Sequence, residues 1–282
     1  MAIRSVSEAV AAELAGRSWL GYYRRGGPAM AANVYADLSY AAGIPVANYY
    51  ASEPLYAAVL DGRKGIDLGP APASGLTKYI RRVMLIPPTA TGILTFDFVD
   101  VLLYYPFVDG DGGSQNLFNT VAIPRSAHNS RVMVVSQGLG TATVNATVTY
   151  TNSAGTPGRQ VTCSLNMAYN AGSLASSFAP GAVQYPEGPF LPLATGDKGV
   201  QSIQTVEFLA AGGGIVAFVI VRPLFSMTMF EATVASIEVD FLADRTLQMP
   251  QVETGAYLSA IARGTVAQTP ATIIGQIESI WG

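Results

Sequence analysis

The sequence predicts an all-β fold, an antiparallel β-sandwich or jelly-roll-like domain with an irregular N-terminal arm and short terminal helices. Three observations carry that expectation. Apolar and polar residues alternate with a period of two through the middle of the chain, glycine-containing turns separate the alternating runs, and strand patterns do not alternate with helical ones. Half of the 282 residues are hydrophobic, which is ample for a core. Several strands with turns between them read as a sandwich. The expected boundaries are 1–78 for a helix and tyrosine-rich arm, 79–245 for the sandwich, and 246–282 for a C-terminal segment with a short helix.

The first element is a short helix. Ser5 followed by Glu8 fits a capping box, Val6, Val10 and Leu14 recur at helical spacing, and Gly16 offers a stop. Residues 17–78 keep no steady period and are rich in Gly, Ala, Pro and Tyr. Helical turns are expected near Ala29–Tyr40 and Pro54–Leu60. Tyr22, Tyr23, Tyr35, Tyr40, Tyr49, Tyr50 and Tyr56 are spread through this stretch. It is too aromatic for a disordered linker. Tyrosine combines a large ring with a polar tip and suits surface contact, so these residues are candidate partner contacts. An irregular layer packed only within the subunit explains the same residues.

Strands are expected at Tyr79–Ile86 and Gly92–Tyr105, with Phe96 and Phe98 facing one way and Thr95 and Asp97 the other. The clearest pair comes next. Ala142, Val144, Ala146, Val148 and Tyr150 alternate with polar residues, as do Val161, Cys163, Leu165 and Met167 after the turn at 152–156. Such alternation gives one buried and one solvated face, and the turn makes an antiparallel hairpin. A second hairpin is expected from Val200–Ala210 and Gly214–Val221, joined through Gly212–Gly214. The apolar run GIVAFVIV suits a central strand, or a strand covered on its outer face by another element. Thr233–Phe241 alternates again, with Ala235, Ile237, Val239 and Phe241 inward. Asn170–Asp197, carrying Pro180, Pro186, Pro189 and Pro192, reads as a long connection. Pro270–Ile280 reads as a short C-terminal helix, with Ile273, Ile274, Ile277 and Trp281 apolar and Pro favourable at its start. Trp281 joins the candidate partner contacts.

Composition narrows the function. Only 12% of residues are charged and three of the 16 basic residues are lysines, Lys64, Lys78 and Lys198. Lysine keeps exposed edges and surfaces from sticking to other chains, so its scarcity fits a subunit whose surfaces neighbours cover. A net charge of -3 without a basic block argues against nucleic-acid binding. The N-terminus lacks an uninterrupted apolar run and does not read as a secretory signal. No apolar stretch is long enough to cross a bilayer, and no membrane partner is expected. With Cys163 as the one cysteine, neither an intramolecular disulfide nor a cysteine-based zinc site is available. Folding in a reducing cytoplasm is the simplest reading.

Residue by residue, chemistry finds little support. The one histidine, His128, lies in the polar loop Ser126–Ser130, and no G-x-S-x-G elbow presents a nucleophile. Asp109-Gly-Asp-Gly-Gly-Ser-Gln-Asn116 resembles the start of a calcium loop, but position 120 is Thr where a bidentate Glu belongs. Strand-linking turn chemistry explains the same residues. Asp97 and Asp100, three apart on a strand, face opposite sides. Cys163 reads as a small buried hydrophobe. The expectation is a protein that is not an enzyme and uses no cofactor or metal.

The low-Lys Ala/Gly/Thr composition, the tyrosine-rich segment before a sandwich, and the run VQSIQTVEFLAAGGGIVAFVIVRPL resemble the structural proteins of tailed-bacteriophage virions, and capsid decoration or cement proteins in particular. The resemblance covers most of the chain and rests on no diagnostic motif. It implies a β-sandwich that binds and stabilises a capsid shell by bridging neighbouring subunits. The partners would be the major capsid protein or other virion subunits, and the chain itself a homo-oligomer placed in the virion after assembly in the host cytoplasm. The alternative is a tail or receptor- or carbohydrate-binding sandwich of a virion. Tyr185 and Phe190 in the Pro-rich connection would be its aromatic platform.

Overall fold

A computed structural model describes residues 3, 5–26, 29–86, 92–177, 189–230, 236–243, 248–268 and 272–282. Helix α1 (Val6–Leu14) begins as the capping pattern predicts, with Ser5 Oγ accepting a hydrogen bond from the Glu8 amide at 3.2 Å. It stops at Gly16, whose positive φ of 68° lets its amide return to the Glu13 carbonyl. The first strands are β1 (Ser18–Gly26), β2 (Tyr35–Asp37) and β3 (Gly43–Ile44). The middle of the chain supplies β4 (Lys78–Ile86), β5 (Leu94–Asp109), β6 (Ser114–Asn116), β7 (Arg131–Gly138), β8 (Thr143–Asn152) and β9 (Arg159–Asn166). The last are β10 (Val200–Phe208), β11 (Ile215–Met229), β12 (Ile237–Asp240), β13 (Gln251–Val252), β14 (Tyr257–Gly264) and β15 (Thr272–Trp281).

These strands form three antiparallel sheets, and the fold is all-β and sandwich-like. A central sheet runs β2-β14-β5-β11-β7, a first outer sheet β12-β4-β15-β1-β3 with β13 also on β4, and a second outer sheet β6-β10-β8-β9. The long strands β5 and β11 explain the layout. Phe96 and Phe98 on β5, with Met227 and Met229 on β11, pack against Ile80, Val83, Leu85 and Ile277 of the first outer sheet. Further along the same two strands, Tyr105, Val108, Phe218 and Ile220 pack against Val148, Leu165, Ile203 and Val206 of the second. The central sheet is therefore shared by two hydrophobic cores laid end to end. Its opposite face buries Val99, Val101, Val219 and Ile261 under Tyr50, Leu174 and Phe190.

The hairpin β8–β9 forms in the register the alternation implies, with Val144, Ala146, Val148 and Tyr150 buried opposite Leu165 and Cys163. The apolar run in β11 lies between β5 and β7, as a strand buried on both faces should. Pairing with β7 ends at Val221. Pro223, which cannot donate to a ladder, falls just beyond, where β11 has become an edge strand.

Two expectations need correction. Val200–Ala210 and Gly214–Val221 do not form a hairpin. β10 pairs with β6 and β8, whereas β11 belongs to the central sheet. Gly212–Gly214 carries the chain from one sheet to the other. Gly213 and Gly214 have φ of 64° and 74°, and the segment is pressed against the backbone of Gly110 and Gly140. The C-terminal helix is the second correction. Residues 272–281 are β15, which sits between β1 and β4 and buries Ile273, Ile277, Ile280 and Trp281. The β-branched isoleucines favour that state.

The stretch read as an irregular arm is also more regular than its sequence. β1 pairs with β15 along its whole length, and β2 with β14. Of the two helical turns expected there, one is short 3-10 geometry at Leu38–Tyr40, and a second such turn lies at Gly62–Lys64 rather than within 54–60. The expected strand residues Thr233–Ala235, together with Pro180, Tyr185 and Pro186, lie outside the described residues.

Candidate interaction surface

Alternation in β1 buries Gly21, Tyr23 and Arg25, with Tyr23 in the first core, and leaves Leu20, Tyr22 and Arg24 outward. The ladders carry those outward positions across the sheet. Tyr22 lies opposite Gln276, which lies opposite Met84, which lies opposite Glu238. Arg24 lies opposite Ile274 and then Ile86, and Ile44 of β3 flanks Arg24 on the other side. Leu20, Tyr22, Ile44 and Ile86 are 52%, 45%, 53% and 42% exposed. The result is a broad, mixed apolar outer face.

Helix α1 covers one end of that face. Only its small residues point down, Ala9 and Ala12 resting on Ile280 beside Ile3. An ion network fastens it: Arg81 pairs with Glu13 and, at 2.9 Å, with Glu278, while Arg82 reaches Glu278 at 3.2 Å and Glu238 at 3.5 Å. Val6, Val10 and Leu14 instead point to solvent, 61%, 46% and 84% exposed. A surface helix normally turns its larger apolar residues inward. Each of these side chains would contribute roughly 1.5–3 kcal/mol if fully buried. The helical spacing of Val6, Val10 and Leu14 identifies the helix, but their outward direction is set by the platform at Ile280, which only the tertiary fold provides.

The candidate contact tyrosines divide. Tyr22 and Tyr49 are exposed, while Tyr23, Tyr35 and Tyr50 are buried within the chain itself. Tyr40 packs edge-on to Tyr49 with centroids 5.0 Å apart, and Tyr56 stacks on Phe118 at 4.6 Å. Trp281 is buried beneath the Lys78 ammonium, 5.0 Å from its ring. They do not converge on one surface. Trp19 was passed over in the sequence; it is 42% exposed beside Leu20, with its indole N–H donating to Asp67 at 3.1 Å.

Buried polar groups are spent on architecture. Asp37 accepts from the Tyr50 hydroxyl and, at 2.8 Å, from the Ser39 amide, and burial pushes its carboxyl above the usual carboxylate range. Arg25 donates to the carbonyls of Ser39, Ala41 and Val46 and so holds that loop. A cleft of about 410 Å³ lies between Ile66–Pro72 and Val252–Ala256. Of the two cations lining it, Lys78 already donates to the carbonyls of Leu68, Gly69 and Pro70, and Arg63 pairs with Asp61 at 3.0 Å. His128 is exposed in its loop. In the loop resembling a calcium site, Asp109 and Asp111 accept from the amides of Asp111 and Gly213 at 3.0 and 2.7 Å. Among the described residues no group of three or more His, Cys, Asp or Glu gathers to hold a metal, and no helix is long and apolar enough to cross a membrane. Phe190 is buried, which removes it from any aromatic platform with Tyr185. Burial pushes the Cys163 thiol up to about 12, as expected for a core residue.

Asp197, in the loop leading into β10, is a carboxylate anchored against the second outer sheet. Its side chain is 5% exposed, and that burial by itself would raise its pKa. Hydrogen bonds from Tyr150 (2.6 Å), Asn152 (2.7 Å) and Arg159 (2.9 Å) prevail and hold it below the usual carboxylate range. Its ionised form is therefore more stable folded than unfolded. The stability it contributes is present above its unfolded pKa and is lost as pH falls through the folded one. Urea midpoints measured from pH 5 downward are expected to fall less steeply for Asp197→Asn than for the unaltered chain. Parallel slopes would show that the carboxylate contributes nothing.

Comparison of the chain with protein-family models, with curated proteins and with solved structures finds no match.

Proposed function

We propose that the chain is a structural subunit of a tailed-phage-type virion that binds and stabilises a capsid shell by bridging neighbouring subunits. One observation carries this reading: Val6, Val10 and Leu14 of α1, with Leu20 and Tyr22 on the outer face of β1, are left in water by a chain that gathers most of its large apolar residues into buried clusters. Exposed apolar residues grouped in this way are what interaction sites present. The scarcity of lysine is the second support, since a surface meant to meet neighbours has no use for the charge that keeps chains apart. No catalytic role is assigned, because the buried carboxylates, arginines and tyrosines described above are engaged in holding loops and sheets.

The work is mechanical. Covering the face contributes about 25 cal/mol per Å² of apolar area before ordering costs. Repetition over a symmetric shell multiplies a modest contact through effective concentration. The test is the copy number of the double variant Val10→Asp, Leu14→Asp on purified particles. Both side chains are exposed, so the subunit itself is expected to fold normally. Copy number is expected to fall at least about tenfold, as burial of unpaired charge requires; unchanged copy number overturns the proposal.

A further inference from the structure

Loop 38–49 leaves the interior at Asp37 and returns to it at Tyr50. It holds the 3-10 turn Leu38–Tyr40 and strand β3, and it brings Ile44, Val46 and Tyr49 to the surface. Its two ends meet side chain to side chain. Asp37 Oδ2 and the Tyr50 hydroxyl share a hydrogen bond, both residues are fully buried, and Asp37 Oδ1 accepts from the Ser39 amide at 2.8 Å. The Asn48 amide ties the loop a second time, donating to the Ser39 carbonyl at 2.8 Å.

The groups facing the Asp37 carboxyl come from three elements. They are Tyr23 and Arg25 of β1, Ser39, Tyr40 and Tyr50 of the loop and its end, and Tyr257 of β14. Arg25 is the one cation among them, and it donates to the carbonyls of Ser39, Ala41 and Val46 rather than to the carboxyl. An ionised Asp37 therefore meets only neutral donors directly, and burying a charge on those terms is costly. A neutral carboxyl fits the site better. It donates to the Tyr50 oxygen and frees the Tyr50 proton for Ser39 Oγ, a buried oxygen beside both groups that has no hydrogen-bond partner among the described residues.

We propose that the Asp37–Tyr50 contact is a proton-held clasp on loop 38–49, fastened while the Asp37 carboxyl is neutral and loosened when it ionises. Burial raises the pKa of this carboxyl, so the fold favours its neutral form. The stability the clasp contributes is complete below the ordinary carboxylate pKa and is lost as pH rises through the folded one. That trend is opposite to the one set by Asp197. The clasp does not depend on the assembly role, since every group in it belongs to one chain.

Two measurements on the full-length chain test it between about pH 4 and pH 8, the window above the ordinary carboxylate range. The side-chain carboxyl carbon resonance of Asp37 is expected to titrate above that range. Over the same window, exchange protection of the Ser39 and Asn48 amides, corrected for the intrinsic pH dependence, is expected to fall at least about tenfold, the equivalent of one pKa unit. In Asp37→Asn, whose amide keeps both contacts and cannot ionise, the protection is expected to stay level. A carboxyl that titrates in the ordinary range overturns the clasp, and this readout needs only the unaltered chain. A raised titration that loop protection does not follow also overturns it, as does an equal fall in the Asn variant.

Discussion

Replacing Asp100 with alanine is expected to destabilise the fold by about 3–5 kcal/mol, the cost of breaking a buried ion cluster by removing one partner. Asp100 is fully buried on β5, on the face that bears Phe98 before it and Leu102 after it. It therefore stands where the two cores meet. Arg125 grips its carboxylate with two hydrogen bonds, at 2.7 and 2.9 Å, and Arg222 from the neighbouring strand adds a third at 3.2 Å. The Tyr257 amide donates to the same group at 3.1 Å, and Arg222 continues to Glu253. Removing the carboxylate leaves Arg125, 8% exposed, with only the carbonyls of Val101 and Gly255, and Arg222, 13% exposed, with Glu253 alone. Chemical unfolding of Asp100→Ala measures the loss directly. A companion variant with Asp100, Arg125 and Arg222 all replaced by apolar residues of similar volume is expected to recover most of it. A loss under 1 kcal/mol in the single variant would mean that the arginines find other partners or water.

Phe218→Ala is expected to cost a similar amount, about 3–5 kcal/mol, through the cavity left by a large aromatic side chain. Phe218 is fully buried on β11, opposite Tyr105 of β5 on one side and Val134 of β7 on the other. Its ring faces the second outer sheet, yet the damage should not stay there. β5 and β11 run through both cores, so loosening one core loosens the strands that frame the other. A single cooperative transition shifted to lower denaturant is expected by far- and near-ultraviolet dichroism together. Two separated transitions would show that the cores unfold independently.

How much of this could be read from the sequence depended on where the partner of each segment lay. The β8–β9 hairpin was legible because its partners are neighbours in sequence and alternation sets their faces. The centrality of β11 was legible because GIVAFVIV can be accommodated only where both faces are covered. Its partner was not, since proximity favoured β10 while β5, more than a hundred residues earlier, provides the ladder. The C-terminal segment failed for a related reason. Ile273, Ile274, Ile277 and Trp281 satisfy a helical stripe, and only the slot between β1 and β4 settles them as a strand. At the candidate surface, tyrosine content suggested contact residues. Burial then reserved Tyr23, Tyr35 and Tyr50 for the interior and left the helix aliphatics outside. Composition raised the expectation of a contact surface but carried no information on which element would present exposed apolar residues.

The pairing of β1 with β15 joins residues 18–26 to residues 272–280, and this bears on timing during synthesis. A ribosome adding about 5–20 residues per second completes β8 and β9 well before β15 exists, so the second outer sheet can begin to order while the first still lacks its middle strand. The packing beneath Ala9 and Ala12 of helix α1 is incomplete until Ile280 is in place. The helix's outward aliphatic row is therefore held in its final direction only after residue 280 has been added, long after β8 and β9 can pair.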